Sequence, residues 1–134
     1  MQSKSQKPWY FKQHNFFELL SESEREKIRQ MSVLKRFKKD EIIYQMEDQC
    51  QDIGIIKKGI AKVFLLTQEG SEVILCFRSP GNIIGMTSIF GWPRHVSFVS
   101  ALDDVDLYVK KTQDIKHYFK SHPEFSDIII NILC

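Results

Sequence analysis

The chain has 134 residues and a mass of 15.8 kDa, the size of one compact domain. Hydrophobic residues make up 43% of it and charged residues 27%, a balance that excludes general disorder. The net charge of +2 is too small to indicate a nucleic-acid or membrane binder by charge alone. No apolar run approaches the ~18 residues of a membrane helix, and no secretory signal is present. These features predict a soluble cytoplasmic protein with no membrane partner.

The chain begins with a polar segment followed by a helix. Residues 1–15 are polar with interspersed aromatic residues, which predicts an irregular arm. Ser21 and Glu24 have the spacing of a capping box, in which the two side chains satisfy free amides at a helix start. Ile28 and Met31 supply apolar contacts for this helix.

From Ser32 onward the apolar period changes to two, which is the period of a β-strand. Gly70 suits the left-handed position of a hairpin loop, and the segment 79–82, Ser-Pro-Gly-Asn, fits a type II turn. About eight short strands separated by turns predict a mainly β sandwich, jelly roll or small barrel. The strand candidates are 33–37, 41–44, 52–57, 60–66, 72–77, 96–101 and 104–110.

Two helical segments close the chain. Thr112 is predicted to cap the first, which ends at His122-Pro123. The second begins at Pro123 and carries an apolar stripe at helical spacing that is still running at Cys134. We interpret it as the start of a longer dimerisation helix that has been cut short; the alternative is a terminus docked on the barrel. The stripe residues are Phe125, Ile128, Ile129, Ile132 and Leu133.

The pattern of cysteine and histidine residues argues against a metal site, a disulfide framework and an enzyme. Cys50, Cys76 and Cys134 are far apart and form no paired spacing. No His-x-His pair is present, although a cupin-like enzyme on such a barrel would need one, and no catalytic triad or nucleophile elbow stands out. We therefore predict a protein with no catalytic residue, no metal and no certain cofactor.

Five motifs follow one another along these elements: 39–44 (KDEIIY), Gly59, 69–72 (EGSE), 80–85 (PGNIIG) and 101–105 (ALDDV). Their order and spacing, with the order of the elements, resemble the cyclic-AMP receptor/FNR family of bacterial transcription regulators. The resemblance implies a double-stranded β-helix (jelly roll) of about eight antiparallel strands, flanked by helices at both ends. It also implies a sensor domain over 16–122 and the start of a dimerisation helix over 123–134. Homodimers of such regulators read DNA through a helix-turn-helix that this chain does not contain.

The resemblance also places an effector pocket. Cyclic-nucleotide-binding members use a Gly-Glu pair for the ribose and an Arg followed by a hydroxyl residue for the cyclic phosphate. Here Gly85 is kept, but Met86 stands at the Glu position and His95 at the Arg position. Arg94 is one residue away, and a bulge would be needed to bring it into place. Without the carboxylate, a buried ribose hydroxyl loses its partner at a cost of ~1–3 kcal/mol, which argues against cyclic AMP.

We predict a pocket with an apolar wall and a polar rim, suited to a small aromatic or organic anion or a phenol. Some family members sense halogenated phenols in this way. Three alternatives stay open: a true cyclic-nucleotide site that uses Arg94, a cupin-like enzyme, and a barrel filled by its own side chains with no effector. His95 is interpreted either as a ligand contact or as a polar residue at the rim. The predicted effector-binding residues are Val63, Leu75, Cys76, Gly85, Met86, Thr87, Arg94, His95, Val96 and Ser97.

Overall fold

The computed structural model describes residues 18, 20–87 and 91–124 and contains eight antiparallel strands and two helices in these ranges. This arrangement confirms the mainly β jelly-roll prediction. The elements in chain order are α1 (Glu22–Met31), β1 (Val33–Phe37), β2 (Ile42–Tyr44), β3 (Asp52–Lys58), β4 (Ala61–Leu66), β5 (Glu72–Arg78), β6 (Ile83–Ile84), β7 (Phe98–Ala101), β8 (Val105–Lys111) and α2 (Thr112–Ser121).

The strands form two four-stranded sheets. The first sheet has the order β1-β8-β3-β6, and the second has the order β2-β7-β4-β5. Every pairing is antiparallel. Because strands that are neighbours in sequence often lie in different sheets, the chain crosses repeatedly between the two layers, as a jelly roll requires.

Two apolar clusters lie on opposite faces of the first sheet. The inner cluster fills the space between the sheets, and its members are Ile56, Ala61, Ile84, Val99, Ala101, Val105, Leu107 and Val109. The helix-side cluster joins the outer face of the same sheet to both helices: its buried members are Leu20, Ile28 and Ile55, and Tyr118 and Phe119 of α2 pack against them. The predicted alternation in β8 is confirmed, since Val105, Leu107 and Val109 are buried and their neighbours are only half-buried.

Helix α1 begins as predicted. The Ser21 hydroxyl accepts from the Glu24 amide at 3.2 Å, and the Glu24 carboxylate accepts from the Ser21 amide at 2.8 Å. This capping box satisfies two amides at the helix start and fixes the position of Ile28 in the helix-side cluster.

The turns also follow the prediction. Gly70 and Gly81 both have positive φ, of 87° and 88°, and the Asn82 amide donates to the Ser79 carbonyl at 2.9 Å. A positive φ at the third position and a hydrogen bond from the fourth residue to the first define the type II turn that was expected.

Three details differ from the predictions. Thr112 does not cap α2: it is the first residue of the helix, Lys111 is the N-cap, and no side chain caps this end. The strand predicted over 96–101 begins at Phe98, because the segment before it pairs with another loop. The two-residue strand β6 was not predicted, since two residues are too few to show an alternating pattern.

The predicted arm and dimerisation stripe fall beyond the residues that the structure describes. Pro123 and Glu124 are helical, as the sequence predicts for a helix that begins at Pro123. Residues 1–15 lie outside the described residues, and so do Phe125, Ile128, Ile129, Ile132 and Leu133.

Candidate functional site

A stacked pair of side chains, Tyr44 and His95, lies where the sequence places the effector pocket. The two ring centroids are 4.3 Å apart and the ring planes are inclined by 20°. His95 is buried, with 7% of its surface exposed, and Tyr44 packs against the inner cluster at the end of β2. The predicted rim residue is therefore an interior one.

Backbone hydrogen bonds between two loops hold His95 in this position. The amide of His95 donates to the Asp48 carbonyl at 2.9 Å, and the carbonyl of His95 accepts from the Glu47 amide at 3.0 Å. Glu47 has a φ of 75°, a left-handed conformation that costs a residue with a side chain about 1–3 kcal/mol. The tight turn after β2 accepts this strain, and the loop that it forms pairs with the segment around His95.

A carboxylate completes the polar part of the site. The Tyr44 hydroxyl donates to Asp52 Oδ1 at 2.8 Å. Burial raises the pKa of Tyr44 well above its usual value, and the negative charge of Asp52 adds to this effect. Burial also lowers the pKa of His95, although the carboxylates of Asp52 and Asp48 oppose the shift. At pH 7 both rings are therefore neutral.

Gly85 allows the loop after β6 to approach this group closely. Its φ is 79°, and a Cβ atom there would lie 3.0 Å from the Asp52 carbonyl oxygen and 3.1 Å from the Tyr44 ring. Gly85 is thus suited to the site by both conformation and space. We call Tyr44, Asp52, Gly85 and His95 the Tyr44 cluster.

Thr87 lies beside the Tyr44 cluster. Its side chain hydrogen-bonds the thiol of Cys50, and this bond opposes the rise in the pKa of Cys50 that burial causes. Three of the predicted site residues, Gly85, Thr87 and His95, are thus brought to one region of the fold.

Other predicted residues lie elsewhere. Arg94 is exposed, and its guanidinium Nη1 donates to the Glu47 carbonyl at 2.8 Å. Val96 is also exposed and Ser97 is half-buried. Met86 packs against the helix-side cluster, on the face of the first sheet that is turned away from the inner cluster.

The predicted wall residues on β4 and β5 divide in the same way. Val63 packs against the inner cluster and lies opposite Cys76 in the strand register. Leu75 is 54% exposed on the edge strand β5, and a shift in pairing between Val63 and Phe64 makes it the extra residue of a β-bulge. Effector binding by these residues stays a prediction.

Sequence reasoning missed Tyr44 and Asp52. Tyr44 lies within a motif that carried the resemblance, but nothing in a short apolar strand shows which ring will meet a histidine about fifty residues later. Among the described residues, no group of three or more His, Cys, Asp or Glu side chains is arranged to hold a metal ion. No helix within the described ranges is long and apolar enough to span a membrane.

Comparison with known proteins identifies the family. The sequence pattern of the cyclic nucleotide-binding domain matches residues 34–122. The chain therefore belongs to this family, and its resemblance to the cyclic-AMP receptor/FNR regulators is confirmed.

Individual proteins agree with this assignment. The chain is 33% identical to the regulatory protein HlyX of Actinobacillus pleuropneumoniae over 69 residues, which are 52% of this chain and 28% of HlyX. It is 29% identical to the fumarate and nitrate reduction regulatory protein of Vibrio cholerae over 85 residues, 63% of this chain and 34% of that one. The matches thus span about a third or less of these relatives.

A solved structure shows the same fold. The catabolite activator protein of Thermus thermophilus superposes with a TM-score of 0.79 at 18% identity, over 90% of this chain and 56% of that protein. At this identity the likeness concerns the fold.

Proposed function

We propose that this domain senses a small organic or aromatic effector, such as a phenol, and does not bind cyclic AMP. The observation that carries the proposal is the state of His95. The imidazole at the position of the phosphate-binding Arg is buried and stacked on Tyr44, and its lowered pKa keeps it neutral at pH 7. A neutral ring offers a hydrogen bond to a hydroxyl but no ion pair to a cyclic phosphate.

The Gly-Glu pair that binds the ribose in cyclic-nucleotide sites is also altered in a way that disfavours a nucleotide. Met86 has no group that accepts a hydrogen bond from a ribose hydroxyl, and its contacts are with the helix-side cluster. A ligand that needs neither a carboxylate nor a cation is therefore a better match. An apolar pocket with a few polar groups is the usual setting for such a ligand.

The alternative of cyclic-nucleotide binding through Arg94 is less well supported. The Arg94 guanidinium donates a hydrogen bond to the Glu47 carbonyl at 2.8 Å. In the same exposed loop, the backbone of Arg94 forms an isolated antiparallel β-bridge with Gln49. Binding a phosphate inside the roll would require this contact to break and the side chain to turn inward.

We further propose that the domain acts in the cytoplasm as part of a homodimeric transcription regulator. The support is the family and the regulatory names of the relatives. Effector binding in the roll would shift the helix that begins at Pro123 and thereby a helix-turn-helix that contacts DNA. Sedimentation velocity tests the dimer: the chain should sediment as a dimer, and Ile128→Glu should convert it to a monomer. A wild-type monomer would contradict the homodimer.

A binding screen tests the effector class. Thermal unfolding is measured with a panel of simple and halogenated phenols, and the phenol with the largest effect is titrated calorimetrically. His95→Gln should weaken its binding about tenfold, which corresponds to one hydrogen bond. The matched control His117→Gln, on the exposed face of α2, should leave binding unchanged. A panel without effect at millimolar concentration, or equal losses in the two variants, would contradict the proposal.

A further inference from the structure

A second concave site lies beside the Tyr44 cluster, at the edge of the first sheet, and shares Asp52 with it. It has a volume of about 670 Å³ and is formed by β1, the start of β3, the loop 91–93 and the junction of β8 with α2. None of the predicted effector-binding residues lines it. We call it the lysine groove, after its three lysines, Lys35, Lys111 and Lys116.

The lysine groove has an excess of positive charge. The three lysines face a single carboxylate, Asp52, and Asp52 Oδ1 already accepts the hydrogen bond from Tyr44. Within the described ranges, none of these three lysines forms an ion pair. By contrast, neighbouring Lys110 is 3.7 Å from Asp114. The ammonium groups that line the groove are therefore available to an anion.

An aromatic side chain stands beside these cations. Trp92 lines the groove and is 58% exposed, an unusual degree for a large aromatic residue. Exposed indole rings provide stacking surfaces for planar ligands, including nucleic acid bases. The combination of an aromatic ring with several ammonium groups matches a ligand that has a flat ring at one end and several negative charges at the other.

We propose that the lysine groove binds a nucleoside triphosphate, with the base on Trp92 and the phosphates on Lys35, Lys111 and Lys116. The volume lies within the ~300–1,000 Å³ that is usual for small-molecule sites. A triphosphate uses all three cations, whereas a cyclic monophosphate would leave most of them without a partner. The site is on the outside of the roll, so this proposal does not depend on the effector proposed for the Tyr44 cluster.

Calorimetric titration with ATP tests the proposal, with inorganic tripolyphosphate as a second probe. The triple variant Lys35→Gln, Lys111→Gln and Lys116→Gln should weaken ATP binding at least tenfold. A matched triple, Lys27→Gln, Lys38→Gln and Lys120→Gln, removes the same charge from exposed positions outside the groove and should change the Kd by less than about twofold. This comparison separates a site from general attraction to positive charge.

Trp92→Ala isolates the contribution of the base. In the wild-type chain ATP should bind about tenfold more tightly than tripolyphosphate, and the variant should abolish this difference while tripolyphosphate binding stays unchanged. Because Trp92 is exposed, the variant should fold normally, which circular dichroism verifies. The proposal is overturned by equal weakening in the two lysine triples, by equal affinity of the wild type for the two probes, or by no ATP binding at millimolar concentration. Binding of random-sequence duplex DNA with the same dependence on the three lysines would assign the groove to nucleic acid instead.

Discussion

Strands β8 and β5 have the same length, seven residues, but opposite surroundings. β8 lies inside the first sheet, between β1 and β3, and buries Val105, Leu107 and Val109 almost completely. β5 is at the edge of the second sheet, and Val73, Ile74 and Leu75 are each about half exposed. The apolar residues of β8 therefore pack in the core, whereas those at the centre of β5 remain half exposed.

This difference identifies the strands in which a truncation should cost most. The first sheet is covered on both faces, by the inner cluster and by the helix-side cluster, so its central strands bury apolar side chains that stabilise the fold. The second sheet carries the bulge at Leu75 and the unpaired edge of β5. Exposed apolar surface of this kind is typical of regions that contact a ligand or another protein segment. Packing in the core is therefore concentrated at β8 and its neighbour β3, whereas the β5 edge of the second sheet exposes apolar side chains.

The largest expected effect comes from truncating the centre of the first sheet. Leu107→Ala removes a side chain that is 1% exposed, so it should lower the free energy of unfolding by about 2–5 kcal/mol. The same truncation in the second sheet, Leu75→Ala, should cost less than about 0.5 kcal/mol because Leu75 is half exposed. Urea denaturation of both variants measures the contrast. An equal loss of unfolding free energy in the two variants would contradict the difference between β8 and β5.

Alanine substitutions at two glycines compare the connection between the two sheets with the β4–β5 hairpin of the second sheet. Gly59 joins β3 to β4 with a φ of 91°, and a Cβ there would collide with the Asp104 carbonyl. Gly70 has a similar φ of 87° but open space around it. Both alanine variants meet a left-handed penalty of about 1–2 kcal/mol, and Gly59→Ala should lose more because of the collision. Denaturation midpoints measure the difference, and equal losses would show that the backbone relaxes at Gly59.

Removing the capping box tests how much the start of α1, which packs on the first sheet, contributes to stability. Ser21→Ala deletes the acceptor for the Glu24 amide and should cost about 1 kcal/mol. Ser23→Ala, at an exposed position of the same helix, is the matched control and should be near neutral. Thermal unfolding of the two variants gives the comparison. A control as destabilised as Ser21→Ala would show that capping is not the cause.

The smallest expected effect is a pH dependence of the free energy of unfolding that arises from His95. Burial lowers the folded-state pKa of His95, so the unfolded chain binds a proton more readily than the folded one below about pH 6.5. The stabilisation that neutral His95 contributes is fully present above the pKa that His95 has in the unfolded chain. It is lost as the pH falls toward the lower pKa of His95 in the folded chain. His95→Gln should therefore flatten the pH dependence of unfolding between about pH 7 and 5. An unchanged slope in His95→Gln would contradict the assignment of this pH dependence to His95.

Local patterns were sufficient to predict much of the fold. The alternation in β8, the capping box at Ser21 and the turn at Gly81 each depend on residues within a few positions of one another, so the sequence shows them directly. Strand β6 and the Lys111 cap of α2 were missed because tertiary packing decides them.

The site was less predictable than the fold. The sequence located Gly85, Thr87 and His95 by motif order, but Tyr44 and Asp52 join them only through the crossing of the two sheets. The direction in which Met86 points and the bulge that exposes Leu75 depend on strand register. One shifted residue changes the face on which a side chain lies, and composition does not reveal such a shift.

Calorimetric titration of the wild-type chain with cyclic AMP at pH 7.5 tests the central claim most directly. The proposed function holds that a buried His95 and an apolar Met86 stand where cyclic-nucleotide sites have an Arg and a Glu. We therefore predict no saturable heat of binding up to about 1 mM cyclic AMP. A Kd of about 1 mM corresponds to a binding free energy of about −4 kcal/mol. Saturable binding with a Kd in the micromolar range would contradict the account.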